Sequence, residues 1–374
     1  MDRSGSPSLV RECSPGVHIC TFTHATHDEH FITATLPEGG SPGDLFARCV
    51  AALTERDARV VSQEVFGIER DDALTFELGR AFGGCSWPVT WLTEGASTGL
   101  AGVQLWAVSG KVPTPVWVDG CLLGSIFEDA DWRYCRLGGV LPDDLSEPKE
   151  NQARGVFSKM DVALGAIGMD FGHVVRTWFY NDDILSWYDA FNEVRSEFFR
   201  EQNVFNHLVP ASTGVGGKNA ASAALVGGLL AVEPKHGDAL ANAVPSPLQC
   251  SALNYGSSFS RAVEIVSPTC RRVCVSGTAS IEPNGATECI GNVSGQVERT
   301  IDVVTAILAS RGMGWADVVR GLAYFRDESD ASAYARYCEA HKMPDMPVLV
   351  VWNRICRDDL LFEIEVDAVQ TRKA

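Results

Sequence analysis

The sequence predicts an α/β fold of the α+β kind, built from tandem units in which helices cover one face of a mixed sheet. Three observations carry this expectation. Segments with apolar residues at helical spacing alternate with short runs of β-branched and aromatic residues, in the order helix, strand, helix, strands. That order occurs twice at one offset: Gln152 and Gln296, Gly168 and Gly312, Arg176 and Arg320, and Tyr180 and Tyr324 are each 144 residues apart. Finally, 374 residues exceed one small core and suit two or three lobes of roughly 100–150 residues each.

The elements follow in order. Val17 to Leu36 reads as a hairpin around the polar run Thr26 to Glu29. Leu45, Cys49, Ala52 and Leu53 mark a helix, and Arg59 to Phe66 a strand, which together make a weaker copy of the repeat. In the first strong copy a helix opens at Gln152 and carries Val156, Met160, Ala163, Leu164 and Ile167 on one face; Gly168 ends it. The strand His173 to Tyr180 and a helix from Trp187 to Glu201 follow. In the second strong copy the helix opens at Gln296, the strand runs from Asp317 to Tyr324, and a helix spans Ala331 to Ala340. Pro142 to Lys149 and Glu233 to Pro247 read as linkers. The expected division is an N-terminal lobe over 1–110, a first strong unit over 111–245 and a second over 246–374. Two or three such units can pack as a covalent stand-in for an oligomer, with binding clefts between them, so a monomer is expected.

Composition narrows the function. Hydrophobic content of 45% is that of a globular chain, and the net charge of −17 opposes nucleic acid and anionic membranes. An anionic substrate would need specific arginines. The polar start Met1 to Ser6 lacks the apolar core of a signal peptide, which predicts a cytoplasmic protein. Ala220 to Val232 is too short to span a membrane and reads as a buried strand region. The 12 cysteines form no CxxC pair and are expected to be reduced and mostly buried. Ser212 to Asn219 is glycine-rich but fails the phosphate-loop pattern at both Ser212 and Asn219. His24, His27 and His30 with Asp28 and Glu29 match no strong zinc signature and read as a solvated turn. With neither a nucleophile elbow nor a dinucleotide fingerprint, no cofactor and no metal are expected.

The final strand, Leu361 to Val369, is the most informative. Alternation puts Phe362, Ile364, Val366 and Ala368 on a core face, and Glu363, Glu365 and Asp367 on the other. Spacing alone favours a solvated edge-strand face. If the face is buried, mutual repulsion raises at least one carboxyl pKa and makes a general acid.

Residues 250–370 also resemble the reactive-intermediate deaminases, the RidA or YjgF family. The resemblance rests on Gly256-Ser257-Ser258-Phe259-Ser260-Arg261-Ala262, on Val275-Ser276-Gly277-Thr278-Ala279-Ser280-Ile281, and on the Gln296 helix, the Val318-Val319 strand and the Phe362-Glu363-Ile364-Glu365 strand. The first strong copy matches more loosely through Tyr188-Asp189-Ala190-Phe191-Asn192 and Glu197-Phe198-Phe199. That family forms trimers with sites between subunits. Its deaminases carry an arginine after a proline that here reads Met346-Pro347-Val348-Leu349, which argues against imine hydrolysis.

The whole chain looks more like the chorismatases, single-chain relatives that remove pyruvate from chorismate. The resemblance implies RidA-like units in a pseudo-trimer, Glu363 as catalytic acid and Cys356 as its helper. Gly277 with Cys356 resembles the subgroup that makes 3-hydroxybenzoate; the hydrolase subgroup, which makes a dihydroxycyclohexadiene carboxylate, tends to have alanine at the glycine position. A small Gly277 would leave room for a shifted ring. Chorismate carries two carboxylates, so arginine partners are expected, with Arg261, Arg176 and Arg326 as candidates and Tyr180 and Tyr255 as hydrogen-bond donors. A hydrolase giving the diol, and a non-enzymatic small-molecule binding module, are the alternatives.

Overall fold

A computed structural model describes residues 7–36, 39–94 and 101–372, apart from the side chain of Tyr255. The polar start, residues 1–6, lies outside the described residues.

Three units follow one another. The first has strands β1 (Ser8–Ser14), β2 (Val17–Thr23) and β3 (Asp28–Thr35), helix α1 (Pro42–Glu55), strand β4 (Arg59–Phe66), helix α2 (Asp72–Phe82), and strands β5 (Val89–Leu92) and β6 (Gly102–Ser109). The second has β7 (Thr114–Val118), β8 (Cys121–Glu128), β9 (Trp132–Val140), α3 (Lys149–Gly165), β10 (Val174–Asn181), α4 (Tyr188–Glu201), β11 (Ala211–Gly216) and β12 (Leu225–Pro234). The third has β13 (Leu240–Val244), β14 (Ala262–Val266), β15 (Cys270–Ala279), α5 (Val293–Ala309), β16 (Val318–Phe325), α6 (Ser332–Ala340), β17 (Val348–Trp352) and β18 (Phe362–Thr371). Each unit forms one six-stranded sheet, and the spatial orders β1-β2-β3-β6-β4-β5, β7-β8-β9-β12-β10-β11 and β13-β14-β15-β18-β16-β17 are the same path. The faint N-terminal copy is thus complete in topology. In every unit the last pair along this path is parallel and the rest antiparallel, giving the expected mixed sheets.

Smaller features repeat too. A register shift falls early in each long central strand, between Val60 and Ser62, Val174 and Arg176, and Val318 and Arg320. The paired glutamines make equivalent bonds. Gln152 Oε1 accepts from the Ala224 N–H just before β12, and Gln296 Oε1 from the Leu361 N–H just before β18 (2.9 and 2.8 Å). Each helix pair packs on one face of its sheet through its own apolar cluster. The opposite faces of all three sheets meet in one shared core containing Phe22, Trp106, Trp178, Tyr180 and Tyr324. The pseudo-trimer axis runs through that core.

Two readings need correction. Pro142 to Pro148 joins β9 to α3 inside the second unit and is no inter-unit linker, and Glu233 to Pro247 contains the edge strand β13. Only Cys20, Cys49, Cys135 and Cys274 are buried among the 12 free cysteines; several of the others sit at element ends or in connecting loops, where burial is incomplete. Among the described residues no helix is long and apolar enough to cross a membrane.

Candidate active site

The final strand is not an edge. β18 lies between β15 and β16 at the centre of its sheet. Phe362, Ile364, Val366 and Ala368 enter the core under α5. Glu363, Glu365 and Asp367 are all buried on the other face, at the seam where the third unit meets the second. The solvated-edge reading fails because both neighbours of β18 are present and a second sheet covers its polar face.

The carboxylates have different surroundings. Glu365 accepts from Arg176 (2.9 Å), Arg320 (2.8 Å) and the Trp178 indole (2.8 Å). These cations hold its pKa below the ordinary value against the opposing effect of burial. Asp367 sits beside Arg320 at 3.3 Å. Glu363 faces a small cavity. Burial first, and the charge of Glu365 second, push its carboxyl up to about 8, although Arg176 and Arg261 pull the other way. At neutral pH this is a protonated acid beside a fixed carboxylate.

The cavity has about 50 Å³ of free volume and draws on both units. From the second unit come Tyr188 and Arg195 on α4, and Ser212 and Gly214 on β11. The third contributes Arg261, Gly277, Cys356, Arg357 and Glu363. Tyr188, Ser257, Cys356 and Arg357 also line a solvent-facing vestibule of about 700 Å³. The loop carrying Cys356 and Arg357 is fastened to β11, since Asn353 Nδ2 donates to Gly216 O and Gly216 N to Arg354 O (2.7 Å each).

A register shift between Val275 and Thr278 lifts Ser276 and Gly277 out of the β15–β18 ladder. Freed from it, Gly277 N donates to Thr213 Oγ1 (3.0 Å), and Ser212 N to Ser276 Oγ (2.9 Å). A Cβ on Gly277 would stand 2.0 Å from Glu363 Oε1, so the acid occupies the space a side chain would need.

The expected residues divide. Glu363, Cys356, Arg261 and Gly277 meet in the cavity. Cys356 is half-buried, and burial together with Glu363 pushes its thiol up to about 12, so it stays neutral. Arg176 lies behind the cavity wall, bound to Glu365 and to Thr213 Oγ1 (2.7 Å). Arg326 does not line the cavity: it follows β16, where its guanidinium donates to Asp358 O. Tyr180 is buried in the shared core. Tyr255 ends a short turn, Ala252–Tyr255, and its side chain lies outside the described residues.

Sequence reasoning missed Arg195 and Arg357. Arg195 is buried, donates to Asn192 Oδ1 (2.5 Å) and lies over Phe191 and Phe259. Its signal was present, because Phe191, Arg195, Phe198 and Phe199 share the buried face of one helix. Arg357 sits in a loop, where no periodicity betrays direction.

Among the described residues two side-chain groups come close enough to share a metal ion: His24 with His27 and Glu29, and Cys13 with His18 and Asp345. Neither lines this cavity. The first is not the solvated turn expected. His27 and Glu29 are fully buried, because Glu29 pairs with Arg272 (2.6 Å) across to the third unit and accepts from Trp106 (2.9 Å).

Comparison with known proteins agrees with this architecture. Residues 251–370 match the family described as endoribonuclease L-PSP. A chorismatase from Streptomyces hygroscopicus is 27% identical over 215 residues, which is 51% of this chain and 60% of that protein. A crystal structure of a chorismatase superposes with a TM-score of 0.66 at 19% identity, covering 90% of this chain and 98% of the other. Yeast Mmf1 covers 35% of this chain and 99% of its own length, at 21% identity and a TM-score of 0.30. The chain has the chorismatase fold, built from three RidA-like units.

Proposed function

We propose that this chain, a relative of the chorismatases in fold and sequence, cleaves chorismate to pyruvate and 3-hydroxybenzoate with Glu363 as general acid. The observation that carries the proposal is a carboxyl with a pKa of about 8 aimed into a cavity between two units. An enol ether is cleaved by protonating its methylene carbon, which needs a neutral acid at working pH. Glu363 gives its proton to that methylene, and the enolpyruvyl group becomes an oxocarbenium ion. The neighbouring ring hydroxyl then attacks the ether carbon, its proton passing to the Glu363 carboxylate; the bond from that carbon to the pyruvyl oxygen breaks, pyruvate leaves, and the ring holds an epoxide. The epoxide opens at the carbon that first carried the hydroxyl, the carbon that keeps the oxygen loses its proton, the oxygen takes up a proton, and the ring aromatises. All atoms of chorismate end in the two products, so no water is consumed. In the hydrolytic alternative water adds instead and the ring leaves as a diol.

In this reading Arg195, Arg261 and Arg357 take the two carboxylates; each lines the cavity. They answer the net charge of −17, which opposes a dianion at long range. The cavity of about 50 Å³ admits only part of such a substrate, so the rest sits toward the vestibule and lining side chains move. Cys356, held as a thiol, acts as a proton donor or relay during aromatisation; a thiolate role is disfavoured by its raised pKa.

The test is direct. Chorismate absorbance should fall with stoichiometric release of pyruvate, and chromatography should identify 3-hydroxybenzoate. Glu363→Gln should lower kcat by about 10²–10⁴ with the fold intact; undiminished turnover removes Glu363 from the role. The acid must be protonated, so kcat/KM should be flat below pH 8 and fall above it. Cys356→Ala should shift product toward the diol, and an unchanged ratio removes the cysteine from aromatisation.

A further inference from the structure

A second, mostly apolar cavity lies apart from the one that holds the acid. It has about 650 Å³, within the range of small-molecule sites, and lies at the same seam between the second and third units. Trp132, Val209 and Val232 form one wall, and Ala241 and Val244 of the edge strand β13 another. Leu240 and Leu253, both large and about half exposed, stand at its rim.

Two buried polar side chains join it to the acid cavity. Arg261 lines both. Gln249 Nε2 donates to the carbonyls of Ala279 and Ile281 (3.0 and 3.1 Å), two residues that line the acid cavity. Those acceptors fix the orientation of the amide. Its Oε1 is therefore an acceptor, and it is buried without a hydrogen-bond partner among the described residues. A buried acceptor left in that state is costly, so it calls for a donor.

We propose that this cavity is a second small-molecule site, one that takes a ring compound carrying one carboxylate and one hydroxyl. The apolar walls enclose the ring, Arg261 receives the carboxylate, and Gln249 Oε1 accepts from the hydroxyl. Because Arg261 lines both cavities, a carboxylate that it holds in one competes with a carboxylate in the other.

The ligand class is read from the cavity, whereas 3-hydroxybenzoate as the probe rests on the proposed reaction. Binding is measured by calorimetry without chorismate. Wild-type protein should bind 3-hydroxybenzoate, and benzoate, which lacks the hydroxyl, about 10-fold more weakly, as expected for one lost hydrogen bond at a buried acceptor. Ala241→Trp fills the cavity away from Glu363 and should weaken 3-hydroxybenzoate binding at least about 10-fold, while chorismate turnover stays near wild type. If that variant fails to fold, Leu253→Trp at the rim blocks the same space. No binding by wild type, or unchanged binding by the folded blocking variant, overturns the proposal. If chorismate is not cleaved, the reaction fails while the binding result stands.

Discussion

Glu363 and Glu365 lie two positions apart on one face of one strand, and their neighbours give them opposite charge states. Two guanidiniums and an indole N–H stabilise the anion at Glu365. Glu363 has the desolvation of burial with no such set of donors, and the fixed charge of Glu365 adds to it. Glu365 therefore acts through its neighbour, as a positioning residue in the electrostatic sense. Glu365→Gln removes the repulsion and leaves Arg176 without its carboxylate, while Arg320 keeps Asp367. Both changes favour the ionised form of Glu363, so the basic limb of kcat/KM should move from about 8 toward lower pH. A limb that stays in place while the rate falls would make Glu365 merely structural. The same change should cost about 3–5 kcal/mol of stability, because it strands the buried Arg176 guanidinium.

At the scale of elements, the seam that holds Glu363 depends on a bulge in β15 meeting the edge strand β11. The bulge turns the Gly277 N–H toward Thr213 and clears the space that the Glu363 carboxyl fills. Sequence resemblance gave Gly277 the role of leaving room for a shifted ring; the structure gives it the prior role of seating the acid. Gly277→Ala should displace that carboxyl by roughly an ångström, a misplacement able to cost about 10²-fold in rate. The measurement is kcat with product ratio, and wild-type values for both would exclude the role. This seam also marks what the sequence could tell. Helices, central strands and the repeat were legible because each has a period or a constant offset. Motif resemblance singled out Glu363, Cys356, Gly277 and Arg261, which line one cavity. Periodicity could not show that β18 lies inside its sheet, since alternation fixes faces and not neighbours. Nor could it show that the His24 to His30 turn is covered by another unit, because that burial comes from residues more than 200 positions away, such as Arg272.

At the scale of the whole molecule, three seams close the pseudo-trimer, and only one keeps the acid. Strand register makes Val226 and Gly102 the counterparts of Glu363 in the second and first units. At the seam of the first and second units the Gly139 N–H to Thr90 Oγ1 bond (2.9 Å) repeats the Gly277–Thr213 link without a carboxylate. At the seam of the third and first units Leu349 packs so closely that a Cβ on Gly102 would stand 2.4 Å from it. A single chain lets its seams diverge in this way; identical subunits could not. Each seam retains one buried arginine–glutamate pair: Arg136–Glu64, Arg176–Glu365 and Arg272–Glu29. The last makes closure sensitive to acid. Arg272 and His24 hold the Glu29 pKa far below 4.5, so its contribution is present above that value and is lost as pH falls below it. His27 and His30 are lowered by burial from 6.5 to about 4. The unfolded chain takes up their protons first, so stability declines as pH falls from 6.5 toward 4. Urea midpoints should therefore drop from pH 6.5 and more steeply below 4.5. Glu29→Gln should lose about 3–5 kcal/mol near neutral pH, by stranding Arg272. It should then lack the steep acid phase and keep the gentler histidine one. A wild-type midpoint that is flat from 6.5 to 4, or a variant that tracks wild type throughout, would remove this cluster from the closure of the ring.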